Sequence, residues 1–360
     1  MLEPRSILVY VTSDVDSALG ENVLKLPLLL ALRAVYPRAR IAWVPGTSGA
    51  FYLEHQLAPL VDGRIDEFIT DLGVPADPRA ALRTRHPILA RPFDLIVDTQ
   101  RALGRTLFLR RIPHRRFISG TWRYLWSNAR PPRPLPLRPP RLVDKLLGLA
   151  AAAAGHPVAV PNPIPLPEAL RLRARQLLPS GPIYVGLSPG AGNKHTGKCW
   201  PLDGFIALAR RQVEHGHVPV FLIGPQETDW LAPLRQAVPR ALFPEQQDGG
   251  GAGPCLTAAL GEVLAAAVAN CSGPGHLLAA GGAPMVSLFG PTRPEKYAPF
   301  ARSLICLKAQ DYGSARIEAI PLAAVEQALE RQLAIGPAAG GAEEARQGRE
   351  DAVIGADLGR

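Results

Sequence analysis

The chain has 360 residues and a net charge of +9, and at roughly 150 residues per domain this length favours two domains. Its 47% hydrophobic and 20% charged residues exclude a disordered chain. Its longest apolar stretch, Leu146–Gly155, is about half the ~20 residues that a transmembrane helix needs, and the first apolar run is too short for a signal peptide. The four cysteines lie far apart without a CxxC pair, which excludes a disulfide scaffold and a cysteine-rich zinc site and favours a reducing cytosol.

The first part of the chain alternates short apolar runs with helical patterns. A helix is predicted from Glu21 to Tyr36, with a kink at Pro27 because proline removes a helix hydrogen bond. The predicted strands are Ser6–Val11, Arg40–Val44, Arg64–Ile69 and Phe93–Val97. Such alternation favours a parallel sheet with crossover helices.

An arginine-rich segment follows, running from Thr99 to Val143 without a single Asp or Glu. It contains eleven arginines, at positions 101, 105, 110, 111, 115, 116, 123, 130, 133, 138 and 141. The segment therefore has a charge of +11. Since the whole chain has a net charge of +9, the remaining residues together have a charge of −2. A concentrated positive field indicates an anionic partner, namely a phosphorylated glycolipid, a membrane surface or a nucleic acid, and a solvated cationic face is the alternative.

Two proline-dense stretches, Pro131–Pro140 and Pro157–Pro167, cannot form regular helices and are predicted to be extended connectors. A helix, Leu142–Ala154, lies between them. The residues after Gly336 have no periodicity. The predicted organisation is an N-terminal domain (1–156), a proline-rich linker (157–167), a C-terminal domain (168–335) and a disordered tail (336–360).

The second domain repeats the alternation of strands and helices. Its predicted strands are Ile183–Leu187, Val218–Ile223, Val268–Asn270, Pro284–Phe289 and Ser303–Leu307. Its predicted helices are Leu202–Gly216, Glu227–Ala237, Thr257–Ala266, Gly275–Gly281 and Leu322–Ile335. The predicted fold class is therefore α/β with two parallel sheets, whose ligands bind outside the carboxyl ends of the strands.

A carboxylate, Glu21, follows Gly20 at the start of the first helix, where the helix dipole favours a negative charge. The bland interpretation is an ordinary acidic residue in a first turn. The functional interpretation is a general base that takes a proton from an attacking hydroxyl group.

The loop from Ser188 to Pro201 is rich in small residues. Ser188, Gly190 and Gly192 would let the backbone approach a phosphate, and Lys198 would supply a counter-charge. The segment nearly matches a P-loop, but Cys199 stands where Ser or Thr must hold magnesium, which disfavours an NTPase. The third glycine of a dinucleotide fingerprint is also absent.

Two further loops follow neighbouring strands of the second sheet. Backbone N–H groups at the start of a helix bind anions, so both loops are predicted to bind phosphate. Their candidate residues are Asn270, Ser272, Gly273, Gly275, His276, Gly290 and Thr292.

These motifs together resemble the lipopolysaccharide heptosyltransferases, glycosyltransferase family 9. The resemblance covers about residues 5 to 335. The motifs that carry it are Gly20-Glu21 before Leu24-x-Leu26-Pro27, Leu32-Arg33-x3-Pro37-x-Ala39-x-Ile41-x-Trp43, Ser188-Pro-Gly-Ala with Lys198-x-Trp200-Pro201, Asn270-x-Ser272-Gly273-x2-His276 and Leu288-Phe289-Gly290-Pro291-Thr292.

The resemblance implies a GT-B architecture, in which two Rossmann-like domains face each other across a cleft, the N-terminal one binding the acceptor and the C-terminal one the nucleotide sugar. It also implies an ADP-heptose donor, an acceptor in the lipopolysaccharide inner core, inversion at the anomeric carbon, and no metal or other cofactor. The GT-B architecture also permits the final helix to pack back on the N-terminal domain. The expected location is the cytoplasm, at the inner-membrane surface.

Roles follow for individual residues. Glu21 is the expected base, Lys198 and the glycine-rich loops stabilise the departing diphosphate, and Glu227 suits a ribose hydroxyl. The arginine-rich segment, with Arg101, Arg105 and Arg123, would meet the anionic acceptor. Nucleic acid is not an expected partner, although Trp122, Tyr124 and Trp126 lie among the arginines, because it leaves the C-terminal loops unexplained.

Two positions depart from the family pattern. The family usually has Asp where Glu21 stands and Asp where Cys271 stands. A longer base and a lost carboxylate favour a different donor sugar, or a family member that has lost catalysis and serves as a binding or scaffold protein.

Overall fold

The structure is a computed structural model that describes residues 3–11, 19–45, 51–192, 197–249, 251 and 253–336. The chain divides into two compact units, Met1–Val160 and Pro161–Arg360. The division falls inside the proline-rich stretch 157–167. The predicted disordered tail, apart from Gly336, lies outside the described residues.

The first unit contains a parallel five-stranded sheet. Its strands are β1 (Ser6–Tyr10), β2 (Arg40–Val44), β3 (Glu67–Phe68), β4 (Phe93–Asp98) and β5 (His114–Ser119). The strand order is β3-β2-β1-β4-β5, and Ile7, Leu8 and Val9 of the central strand are completely buried. An apolar run buried on both faces is typical of a parallel sheet covered by helices.

Of the six α-helices described in the first unit, three short ones (Ala58–Val61, Pro78–Arg83 and Leu103–Leu109) were not predicted, and the first predicted helix is broken. The six are α1 (Leu19–Val23), α2 (Leu26–Val35), α3 (Ala58–Val61), α4 (Pro78–Arg83), α5 (Leu103–Leu109) and α6 (Leu142–Ala154). The single helix predicted from Glu21 to Tyr36 is wrong, because the chain breaks between α1 and α2 at Leu24 and Lys25. Pro27 lies in the first turn of α2, where its missing N–H group costs no helix hydrogen bond.

The second unit contains another parallel five-stranded sheet, as predicted. Its strands are β6 (Tyr184–Ser188), β7 (Val218–Phe221), β8 (Ala266–Asn270), β9 (Met285–Phe289) and β10 (Leu304–Lys308). The order is β10-β9-β8-β6-β7. The confirmed fold class is thus α/β with two parallel sheets.

Eight α-helices are described in the second unit. They are α7 (Glu168–Leu177), α8 (Leu202–Glu214), α9 (Leu231–Ala237), α10 (Pro244–Gln247), α11 (Gly253–Val263), α12 (Gly273–Ala280), α13 (Pro294–Tyr297) and α14 (Leu322–Leu333). The final helix, α14, packs against β8 and β9 and buries Val325 and Leu329 in the core of its own unit. None of the described helices is long and apolar enough to cross a bilayer.

Candidate active site

The loops predicted to bind phosphate lie side by side in the second unit. Strand β8 is paired with β6 on one side and β9 on the other, all parallel. Their carboxyl ends, at Ser188, Asn270 and Phe289, therefore share one edge of the sheet. This edge is the place where an α/β sheet binds ligands.

Asn270 holds one of these loops in place. Its side chain is completely buried; Nδ2 donates to the Pro189 carbonyl (2.7 Å), and Oδ1 accepts from the Trp200 N–H (3.0 Å). Both ends of the Ser188–Trp200 loop are thereby fastened to β8. Each polar atom of the amide has a backbone partner, so the geometry makes Asn270 a support for the loop, and the contact with the nucleotide sugar that the sequence suggested stays a prediction.

The start of helix α12 has fewer open donors than the sequence implied. Ser272 caps the helix, its Oγ accepting from the Gly275 N–H (3.3 Å), and its carbonyl accepts from the His276 N–H (3.1 Å). Pro274 has no N–H group. In the described part of the chain, Gly273 thus has the one N–H of the first turn that remains for an anion, in addition to the field of the helix dipole.

Two buried polar atoms at this edge point to a ligand. His276 Nδ1 and Ser188 Oγ are shielded from solvent and have no hydrogen-bond partner among the described residues. Burial lowers the pKa of His276 to about 4, so its imidazole is neutral at pH 7. Native proteins rarely leave buried polar atoms unsatisfied, and a bound molecule with hydroxyl or phosphate groups would satisfy both.

Glu227 brings a carboxyl group to the edge beside β6 and β7. It lies in the 3₁₀ turn Pro225–Trp230 and is only 4% exposed. A Cβ atom at Gly190 would come within 2.7 Å of the Glu227 Cδ, and one at Gly224 within 2.9 Å of its Oε2. The two glycines therefore make room for this carboxyl group.

A second carboxyl group, Glu245 in α10, was not found by sequence reasoning. Its Oε1 accepts from the Thr257 hydroxyl. Burial, with a smaller contribution from the charge of Glu227, raises the pKa of Glu245 to about 7. No local motif marks Glu245, because the groups around it come from distant parts of the chain.

Replacing Glu245 with glutamine should change how stability depends on pH. The pKa of Glu245 lies above its unfolded value of 4.5, so its contribution to stability is complete below pH 4.5 and is lost as the pH rises to about 7. Glu245→Gln carries no such loss. The free energy of unfolding of the variant should therefore gain on the order of 3 kcal/mol relative to the wild type between pH 4.5 and 8. Denaturant unfolding at both pH values measures this, and a constant difference would contradict it.

Lys198, Cys271 and Thr292 lie together at the β8–β9 end of the edge. Burial raises the pKa of the Cys271 thiol, opposed by the nearby Thr292 hydroxyl and by the positive charge of Lys198. A Cβ atom at Gly290 would come within 3.0 Å of the Gly197 carbonyl, so the residue before Lys198 packs against the loop after β9. A neutral thiol and an ammonium group therefore occupy this corner, and residues 193–196 lie outside the described part of the chain.

In the first unit, Glu21 is half-buried in α1 and lies one turn before Lys25. The Lys25 side chain is only 9% exposed. Burial lowers the pKa of Lys25, and the charge of Glu21 partly restores it. The candidate base is therefore the counter-charge of a buried ammonium group, a feature that the sequence analysis did not identify.

A buried polar network lies where β4 and β5 end. Asp98 is completely buried and accepts from the Thr106 hydroxyl (2.6 Å) and the Ser119 hydroxyl (2.9 Å). Burial raises the pKa of Asp98 to about 6. The network ties α5 and the end of β5 to β4, and so supports the segment in which the acceptor-binding arginines were predicted.

Those three arginines occupy different environments. Arg105 is buried, and its guanidinium donates to the Val74 carbonyl (3.2 Å) and to Gln100 Oε1 (3.1 Å), so it joins loops of the first unit. Arg101 and Arg123 are exposed. Partial burial of its guanidinium and then the charge of Arg138 lower the pKa of Arg101, so two arginines lie near each other at this part of the surface.

Comparison with known proteins identifies the family. The sequence profile described as Glycosyltransferase family 9 (heptosyltransferase) matches residues 81–319, which is more than half of the chain. The sequence matches none of the curated proteins with which it was compared.

Solved structures show the same fold. The glycosyl transferase family 9 protein from Veillonella parvula is 19% identical with a TM-score of 0.62, and 91% of this chain covers 97% of it. ADP-heptose lipopolysaccharide heptosyltransferase II of E. coli is 22% identical with a TM-score of 0.57, at coverages of 91% and 98%. E. coli heptosyltransferase WaaC with ADP is 17% identical with a TM-score of 0.59, at coverages of 91% and 99%. The chain therefore belongs to glycosyltransferase family 9, the heptosyltransferases.

Proposed function

We propose that this glycosyltransferase moves heptose from ADP-heptose to the inner core of lipopolysaccharide or a related anionic glycolipid. The observation that carries the proposal is the carboxyl edge of the second sheet, where His276 Nδ1 and Ser188 Oγ are buried without described partners near an ammonium group and a buried carboxyl group. Structures of WaaC with ADP and with ADP-2-deoxy-2-fluoro heptose support the choice of donor.

The chemistry of the edge suits the parts of a nucleotide diphosphate sugar. The Glu227 carboxyl group, held above Gly190 and Gly224, would accept hydrogen bonds from ribose hydroxyls. Lys198 and the Gly273 N–H would face the diphosphate, whose negative charge grows as the sugar leaves. Preorganised positive groups of this kind stabilise a transition state in the absence of a metal ion, so the proposed reaction needs no cofactor.

The proposed reaction is a single displacement. Glu21 accepts the proton of the acceptor hydroxyl. The hydroxyl oxygen forms a bond to the anomeric carbon while the bond from that carbon to the diphosphate breaks, and ADP departs with the electron pair. A single displacement inverts the configuration of the sugar. Exposed arginines of the first unit, Arg101 and Arg123, would bind the phosphates of an acceptor at the cytoplasmic face of the inner membrane.

The test combines binding with turnover. ADP is expected to raise the melting temperature of the protein more than UDP, GDP or CMP do at equal concentration. ADP-heptose should then support glycosyl transfer to a lipid A–core acceptor. A preference for another nucleotide would overturn the donor assignment. Binding of ADP-heptose without turnover would favour the interpretation as a binding or scaffold protein, which rests in part on Cys271 standing where the family usually has Asp.

Lys198→Ala should weaken donor use more than it weakens folding. The loss of one charge-assisted contact of ~1.5–2 kcal/mol corresponds to a fall of about tenfold to thirtyfold in kcat/KM for the donor. Steady-state kinetics with varied donor measure the effect. Lys296→Ala, which removes an exposed lysine of α13 in the same unit, is the matched control. Equal kinetics of the two variants would exclude Lys198 from the site.

A further inference from the structure

A strained turn projects from the arginine-rich segment of the first unit. Trp122, Arg123 and Tyr124 have φ angles of 49°, 57° and 65°. Residues with a Cβ atom rarely adopt this left-handed conformation, and successive ones are disfavoured further. The chain therefore maintains an unfavourable backbone over three consecutive residues, and such local strain is typical of functional surfaces.

Contacts within the first unit hold the turn in this conformation. The Tyr124 side chain is only 4% exposed, and its hydroxyl lies 3.4 Å from the position that a Cβ atom at Gly148 in α6 would occupy. The Trp122 carbonyl accepts from the Leu125 N–H (3.2 Å). The Arg110 guanidinium donates to the Trp126 carbonyl (2.6 Å). The buried Tyr124 side chain thus fixes the turn to the first unit, and the residues on either side of it are exposed.

The result is an exposed apolar tip. Trp122 is 56% exposed and Leu125 is 60% exposed, the two highest values among the large hydrophobic residues that the structure describes. Neighbouring large apolar side chains that are exposed to water often mark a surface that binds a protein or a membrane. The tip therefore has the form of a contact surface for an apolar medium.

The surroundings of the tip are cationic. Arg123 stands between the two apolar residues and is exposed, as are Arg110 and Arg130. From Thr99 to Val143 the sequence contains no acidic residue. Exposed apolar side chains in an arginine-rich segment match an anionic bilayer, because tryptophan is favoured at the interface and basic residues bind acidic headgroups.

A nucleic acid fits the same surface less well. Bases bind to platforms of exposed aromatic rings. Of the three aromatic residues in and beside the turn, Tyr124 is buried and Trp126 is half-buried, which leaves Trp122 as the one exposed ring among them. Leu125, the most exposed of the apolar residues, cannot stack on a base.

We propose that the 122–125 turn is a membrane anchor, which inserts Trp122 and Leu125 into the headgroup region of an anionic bilayer while the arginines around it bind lipid phosphates. Trp122 and Leu125 recognise the bilayer itself and need no sugar acceptor, whereas Arg123 between them is also proposed above to bind acceptor phosphates. The anchor deepens the proposed function by placing the acceptor-binding unit at the surface where a glycolipid resides.

Vesicle binding tests the anchor. Sedimentation with phosphatidylglycerol–phosphatidylethanolamine vesicles that lack glycolipid should show binding of the wild type, and the double variant Trp122→Ala/Leu125→Ala should bind at least tenfold more weakly. Leu172→Ala is the control, because Leu172 is 50% exposed between Arg171 and Arg173 in an ordinary helix of the other unit; it should bind as the wild type does. Equal binding of the double variant would overturn the proposal, as would tighter binding of the wild type to single-stranded DNA than to the vesicles.

A second variant covers the case in which the double variant does not fold. Leu125 lies outside the left-handed residues, so Leu125→Glu leaves the strained backbone intact and places a negative charge at the tip. Its binding to the anionic vesicles should fall by at least tenfold while its melting temperature stays near that of the wild type. Unchanged vesicle binding by this folded variant would overturn the anchor.

The failure of the anchor and the failure of the transferase proposal give different results. With a lipid-free core oligosaccharide as acceptor, the double variant should transfer sugar at the wild-type rate. Transfer without any vesicle binding by the wild type would reject the anchor alone. Vesicle binding that depends on the tip, without transfer from ADP-heptose, would reject the proposed donor reaction alone.

Discussion

Glu21→Gln is expected to lower kcat by about 10²–10⁴-fold, the usual contribution of a general base. The substitution keeps the size of the side chain and its position in α1 but removes its ability to accept the proton of the attacking hydroxyl. The KM for the donor should change little, because the proposed donor contacts all lie in the second unit. Initial rates with ADP-heptose and a core acceptor measure the effect, and circular dichroism confirms the fold.

Glu21→Asp is the matched control, since it retains the carboxylate and restores the residue usual for the family. It should keep more activity than Glu21→Gln, although a displacement of ~1 Å can itself cost on the order of a hundredfold in rate. Glu21→Gln removes the charge near Lys25 and keeps the length of the side chain, whereas Glu21→Asp keeps the charge and removes one methylene group, so the comparison separates the two contributions. Near-normal turnover of folded Glu21→Gln would reject Glu21 as the base.

Apolar runs predicted the central parts of both sheets. Strands β1, β2, β6 and β9 are almost wholly buried, and their sequences are mostly apolar, as is typical of a parallel sheet. Strand β5 was missed because its sequence begins with His114 and two arginines. It lies at the edge of its sheet, where one side is not paired and polar residues are tolerated.

The loops of the candidate site were predicted because strand order alone brings the carboxyl ends of neighbouring parallel strands together. The partners of individual side chains could not be predicted in the same way. The amide of Asn270 and the guanidinium of Arg105 bind backbone groups 31 to 81 residues away, and no local pattern reports such pairs. The left-handed turn at Trp122 was equally hidden, since it lacks the glycines that usually mark this conformation.

The support that Asn270 provides leads to a large expected effect. Asn270→Ala would leave the Trp200 N–H and the Pro189 carbonyl without their present partners in a buried place. Each unsatisfied group costs about 1–3 kcal/mol, so the free energy of unfolding should fall by about 2–6 kcal/mol. The loop that carries Lys198 would lose its attachment to β8, and donor KM should therefore rise at least tenfold. Thermal unfolding and donor kinetics measure the two effects.

Asn270→Asp separates the two bonds. Its carboxylate still accepts from the Trp200 N–H but cannot donate to the Pro189 carbonyl, and it brings a negative charge to a site that must bind diphosphate. At an acidic pH the new carboxyl group is protonated and can donate to the Pro189 carbonyl, so the variant should be more stable than Asn270→Ala. At pH 8 the carboxylate is charged, and the variant should bind ADP more weakly than the wild type does. If Asn270→Ala instead unfolds with the wild-type free energy and keeps the wild-type donor KM, the loop is held by other contacts and Asn270 plays no part in the site.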